Sequence, residues 1–174
     1  MALAVCLLFD GRTDRALRLL WDRIEERGVP TLRSHTHGMH HPHLSLVVLL
    51  EWQLDKVRAA VEALPDNGPF EIYFDALGLF RRGRVSLIPA APADLVARQQ
   101  VVVRALRSTG AVVHKHYDIG RWLPHCALVP RAPLRELSTV AALAYDVLPL
   151  LARVRRLVLI NSSTGERWPL SNLP

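Results

Sequence analysis

The chain reads as an α+β protein built from two similar halves, and three observations predict this. Strand-like apolar runs alternate with segments of helical period across short turns. Half of the 174 residues are hydrophobic and 22% are charged, a balance that can bury a core and excludes a disordered chain. The segment Pro42-His43-Leu44-Ser45-Leu46 rhymes with Pro124-His125-Cys126-Ala127-Leu128, nearly half the chain further on. A spacing that long indicates duplicated lobes, because solenoid repeats are shorter.

Ala2 to Phe9 is an apolar run of strand length, stopped by Asp10. From Thr13 to Arg27, Leu17, Leu20, Trp21 and Ile24 recur at helical spacing, and Gly28 and Pro30 end the helix. His43 to Leu50 is a strand. Asp55 to Leu64 is a short helix with Val57, Ala60, Val61 and Leu64 on one face, closed by Pro65. Phe70, Ile72, Phe74 and Ala76 alternate with Glu71, Tyr73 and Asp75, the period of a strand. Arg81-Arg82-Gly83-Arg84 turns the chain into a second strand, Val85 to Ile88, giving a hairpin. Asp94 to Arg107 is a third helix ending at Gly110. His125 to Val129 is a strand, Leu134 to Leu148 a fourth helix, and Val154 to Ile160 a last strand before the turn-rich Asn161 to Gly165. No low-complexity linker interrupts the chain, so residues 1–174 are expected to form a single bilobed domain.

The net charge is +6 and the pI about 10.1. Only Lys56 and Lys115 are lysines; the other twenty basic residues are arginines. A phosphate-bearing partner would account for the charge. So would a GC-rich genome, in a chain this rich in Ala, Leu, Val and Pro. Cys6 and Cys126 sit in apolar runs and read as small buried hydrophobes, too few for a disulfide framework. The opening apolar run has no basic flank or cleavage site, and no stretch reaches the ~20 residues a membrane span needs. A soluble cytoplasmic protein is expected, with no membrane partner and no DNA sequence recognition, and a monomer.

The two Pro-His segments carry the chemistry. Alternate residues of a strand share a face, so His43 and Ser45 point one way while Leu44 and Leu46 point into the core. The imidazole and the hydroxyl then stand about 6.5–7 Å apart, with room for a phosphate between them. In the second segment His125 and Ala127 share a face, with Cys126 and Leu128 turned inward. If the lobes face one another, two imidazoles flank one cleft. A phosphodiester suits such a pair: each step needs one proton removed and one supplied, and imidazole titrates near neutrality.

Two His-x-Ser/Thr-x motifs in pseudo-symmetric lobes resemble the two-histidine (2H) phosphoesterase superfamily, which includes the bacterial 2′-5′ RNA ligase-like proteins. The similarity runs from the opening strand and helix through His43-Leu44-Ser45-Leu46, the hairpin from Phe70 to Pro89, and His125-Cys126-Ala127-Leu128, to Ser162–Leu170. It implies a bilobed fold with two antiparallel sheets flanking a central cleft and helices outside. It further implies catalysis by His43 and His125, a phosphate contact from Ser45, no cofactor, and RNA ends or small nucleotide phosphodiesters, 2′,3′-cyclic phosphates among them, as substrates. One position departs from the motif. Ala127 stands where Ser or Thr is expected, and it cannot donate to a phosphate oxygen. Loss of one preorganised donor costs about 100–1000-fold in rate. Arg131 is a candidate substitute.

Other readings of the same residues stand beside this one. His35, His37, His40, His41 and His43 cluster within nine positions, a spacing that also fits a metal-dependent hydrolase, although no Asp or Glu lies between Leu32 and Leu50 to orient the ligands. His35 or His37 could instead line the cleft, and Trp122 could stack a base. The Arg81-Arg82-Arg84 turn could hold phosphate backbone, but a solvated hairpin tip is the leading account. With no hydroxyl at 127, a catalytically decayed nucleotide- or RNA-binding module is the third class.

Overall fold

The computed structural model describes residues 2–174, so Met1 of the opening run lies outside the described residues. The first strand, β1 (Leu3–Phe9), is buried along its whole length. It is covered on both faces, which is why its sequence is an unbroken apolar run rather than an alternation. Asp10 caps the following helix, α1 (Gly11–Glu25), by accepting from the Thr13 N–H at 2.8 Å. That bond holds the Asp10 carboxyl below its ordinary range. Leu17, Leu20, Trp21 and Ile24 form the buried stripe of α1, as the spacing predicts.

The remaining elements are β2 (His43–Glu51), α2 (Leu54–Glu62), β3 (Phe70–Phe80), β4 (Arg84–Pro89), α3 (Ala93–Arg107), β5 (Val112–Val113), β6 (Cys126–Val129), α4 (Leu137–Tyr145), β7 (Leu150–Asn161) and β8 (Arg167–Pro169). All strand pairs are antiparallel. The eight strands form one sheet in the order β1-β2-β6-β4-β3-β7-β8, with β5 beside β2 and a further β1–β7 pairing that closes the path on itself. The two expected sheets are therefore two arcs of one hydrogen-bonded circuit. They meet at the β2–β6 pair and along β7, which pairs with β3 from Leu150 to Val154 and with β1 from Val154 to Asn161.

One large apolar cluster lies between this sheet and the helices, and includes Leu7, Trp21, Leu44, Leu46, Phe74, Leu87, Val102 and Cys126. A smaller cluster, Ala4, Cys6, Leu8 and Val158, lies on the other face of β1 and β7. Helix α1 packs on α4, and α2 on α3. No helix among the described residues is long and apolar enough to cross a membrane.

Several boundaries differ from the sequence pattern. The fourth helix is shorter than the expected Leu134–Leu148, because residues 134–136 form a 3₁₀ turn after Pro133 and α4 starts at Leu137. β7 begins four residues before Val154. Only Ala152 of that extension is buried, while Leu151 is exposed, so the hydropathy pattern is hidden. β3 runs on past Ala76 to Phe80, where Leu77-Gly78-Leu79 breaks the alternation and pairing to β4 carries the strand. His125 stands one residue ahead of β6. β5 and β8 are too short to leave a pattern.

Candidate functional site

The site is set by one register. Leu44 on β2 lies opposite Cys126 on β6, and both are fully buried in the main core. One step either way in an antiparallel pair places His43 opposite Ala127 and Ser45 opposite His125. All four share the face turned away from Leu44 and Cys126. His43 and His125 are thus diagonal neighbours, with backbone positions about 7–8 Å apart.

Each ring is held the same way. His43 Nδ1 bonds the carbonyl of His41 at 2.7 Å, and His125 Nδ1 bonds the carbonyl of Leu123 at 2.8 Å. A carbonyl only accepts, so Nδ1 carries the proton in both rings and the Nε2 lone pair is left free. Burial pushes His43 below the ordinary histidine range, with the bond to His41 acting the other way. Burial also lowers His125; the Leu123 carbonyl opposes it, while His43 and the Arg84 guanidinium add to it.

The surroundings of Ser45 are polar and tight. Its hydroxyl lies 3.5 Å from Cys6 Sγ. Burial pushes the Tyr117 hydroxyl up to about 12, with the neighbouring Ser45 hydroxyl acting the other way, so Tyr117 stays a phenol that can donate. Burial likewise raises both thiols, Cys6 and Cys126, to about 12, which leaves them inert as the sequence implies. The Trp122 indole N–H donates to the Ser45 carbonyl at 3.1 Å, and its ring packs on the core. Buried Gln99 on α3 donates to the carbonyls of Tyr117 at 2.8 Å and Leu46 at 3.4 Å, fastening the Tyr117 segment to β2.

The His125 ring lies between two aromatic rings, Phe80 at 5.7 Å and Tyr117 at 6.5 Å. Gly78 gives the Phe80 ring room. A Cβ there would stand 2.8 Å from the Ile88 side chain and 3.0 Å from the Phe80 ring, so a larger residue would force those side chains to shift. Phe80 and Tyr117 escape the sequence reading as site residues, and Arg84 enters it only as part of the arginine turn. Phe80 looks like the flank of a hairpin tip, and Tyr117 lies in a 3₁₀ turn without periodicity.

The histidine cluster stacks. The ring centroids of His37 and His40 are 4.2 Å apart, and those of His35 and His40 are 6.1 Å apart. Burial together with His37, His43 and His35 pushes His40 down to about 4, so it is neutral at physiological pH and abuts the first motif. His37 Nδ1 accepts from the Met39 N–H at 3.0 Å, while its buried Nε2 has no partner. His35 is exposed. Among the described residues, no three His, Cys, Asp or Glu side chains are grouped so as to hold a metal ion.

The two arginines nearest the motifs in sequence lie elsewhere. Arg131 lines a separate open groove with Pro30, Arg82, Gly83 and Leu134, beyond the far end of β6. There the Ala132 N–H donates to the Gly83 carbonyl at 2.8 Å, in a turn with no space for a Cβ at Gly83. Arg33 pairs with Asp22 on α1 at 2.6 Å. Arg84, from the hairpin, is close enough for its charge to help lower His125.

A closed antiparallel circuit with helices packed on it, and two rhyming histidines on one face at the junction of its arcs, defines a two-histidine phosphoesterase fold. A model of the 2′-5′ RNA ligase superfamily matches residues 13–166, and the chain belongs to that superfamily. Solved structures agree on the fold. A phosphoesterase is 16% identical with a TM-score of 0.61, covering 98% of each chain. Escherichia coli LigT complexed with NADP+ is 16% identical with a TM-score of 0.60, covering 97% of this chain and 94% of its own. Kluyveromyces marxianus Usb1 with uridine monophosphate is 12% identical with a TM-score of 0.53, covering 99% and 98%. A search of curated proteins finds no significant match.

Proposed function

We propose that the chain is a phosphodiesterase that opens 2′,3′-cyclic phosphates at RNA ends or on small nucleotides, with His43 and His125 exchanging the protons. One observation carries this reading: the two rings share a face, and each has its Nδ1 tied to a main-chain carbonyl, which leaves Nε2 of both available for proton transfer. One Nε2 takes a proton from water as the water oxygen bonds to phosphorus. The bond from phosphorus to one ribose oxygen breaks, and the other histidine, protonated on Nε2, gives that oxygen its proton. The product is a phosphomonoester, and one proton then passes between the rings through solvent to reset the pair. Two imidazoles supply both transfers, so the route calls for no metal. Ser45 donates to a non-bridging oxygen, and Arg84 adds positive potential beside it. The superfamily match and the presence of nucleotides in the LigT and Usb1 structures support a nucleotide substrate.

The test is hydrolysis of 2′,3′-cyclic nucleotides and of RNA with a cyclic end, in the presence of chelator, by wild type, His43→Ala and His125→Ala. Each substitution is expected to cost about 100- to 10,000-fold. A full rate in either variant would overturn the two-histidine mechanism.

A further inference from the structure

The second motif lacks its hydroxyl at Ala127, yet the fold places one beside it. Ser86 on β4 is the direct partner of Ala127 on β6. His43 is opposite Ala127 on the other side, so His43, Ala127 and Ser86 form one row across three strands, at about 4.7–4.9 Å per strand. Ser86 therefore shares the face of both histidines, while its neighbours Val85 and Leu87 are fully buried in the core. It is 3% exposed, and its hydroxyl is not one of the fully enclosed side-chain atoms left without a partner. A serine hydroxyl carries one O–H donor that rotates to meet an acceptor on its own face. Its flanking positions in the row offer nothing to bond it: Ala127 ends in a methyl and Gly78 has no side chain.

We infer that Ser86 is the second phosphate donor of this site, displaced by one strand from the motif position that Ala127 vacates. This rests on the phosphodiesterase reading above. Ser45 and Ser86 then approach the phosphate from opposite sides, each donating to a different non-bridging oxygen, and the methyl of Ala127 forms the floor between them.

The experiment is hydrolysis of the two diastereomers of a nucleoside 2′,3′-cyclic phosphorothioate, each of which carries sulfur at one non-bridging position, alongside the all-oxygen substrate. Wild type, Ser86→Ala, Ala127→Ser and the double variant are compared, with melting curves for each. Ser86→Ala is expected to lose about 100–1000-fold in kcat/KM on the all-oxygen substrate. It should also collapse the wild-type preference between diastereomers, because only one oxygen faces residue 86. Adding Ala127→Ser is expected to restore rate and preference together. The Ser86→Ala melting temperature should stay close to that of wild type, since the hydroxyl is assigned to the bound phosphate and not to the fold. Unchanged rate and preference in Ser86→Ala, with activity still dependent on His43 and His125, overturns the inference alone. A lowered melting temperature with the preference intact assigns the hydroxyl to packing and also overturns it. No hydrolysis by wild type, or full activity without either histidine, overturns the phosphodiesterase reading and this inference with it.

Discussion

Leu44 lies directly opposite Cys126 across the β2–β6 pair, the one register point that joins the two arcs of the sheet at the site. Because side chains alternate along a strand, anchoring these two in the core turns His43, Ser45, His125 and Ala127 out together. The pairing is short, so its register depends on the packing of these two side chains. Leu44→Ala is expected to cost about 2–5 kcal/mol, the range for a buried leucine, read as a lower urea midpoint. Activity per folded molecule should fall as well, which a substitution at an equally buried site remote from the junction, such as Val61→Ala on α2, should not cause.

The rate should peak on the acid side of neutrality. Burial favours the neutral form of both rings, so near pH 7 neither carries the proton that the acid role requires. The pH profile of kcat/KM, which reports the free protein, is expected to be bell-shaped with its maximum below 6.5. The profile of kcat should lie at higher pH, because a bound phosphate stabilises an imidazolium. A kcat/KM that rises steadily from pH 6 to 9 would contradict the proposed proton exchange.

Stability should fall on acidification through the same histidines. A histidine whose folded pKa is depressed binds fewer protons folded than unfolded, so its contribution is complete above the ordinary value of 6.5 and is lost as pH falls through the folded value. His40, His41, His43, His114 and His125 are all shifted downward, and His40 reaches about 4. Urea midpoints are expected to decline between pH 6.5 and about 4, and His40→Gln should flatten part of that decline.

Ser45→Ala is expected to lower turnover by about 100–1000-fold, the effect of removing a donor aimed at developing charge. The fold should survive, since the neighbouring Cys6 thiol is only a weak partner at 3.5 Å. Steady-state kinetics and a melting curve on one preparation separate the two effects.

Trp122→Phe keeps a ring on the core and removes the indole bond to the Ser45 carbonyl. It is expected to cost about 0.5–1.5 kcal/mol of stability, the worth of one hydrogen bond, and to leave KM for a cyclic mononucleotide within about twofold, as follows if the ring packs rather than stacks a base. A large rise in KM would return Trp122 to the substrate-contacting role that its position before the second motif suggests.

The sequence by itself determined the α+β class, the order of the major elements and the two rhyming histidine segments. All three are local: they rest on hydrophobic period, turn residues and a repeated pentapeptide, which survive in one dimension. It also marked Ala127 as a vacancy in the second motif. Tertiary structure alone decided what surrounds that vacancy. Ser86 meets Ala127 through the β4–β6 pairing, Phe80 packs beside His125 over the space that Gly78 leaves, and Gln99 ties the Tyr117 turn to β2 beside Ser45. The placement of the arginines is likewise a matter of fold: Arg84 is near enough to His125 to act on it, while Arg33 pairs with Asp22 and Arg131 lines a separate groove. The physical reason is common to all of these. Strand alternation tells which residues share a face, but which faces meet is fixed by cross-strand register, and register is set by partners dozens of residues away.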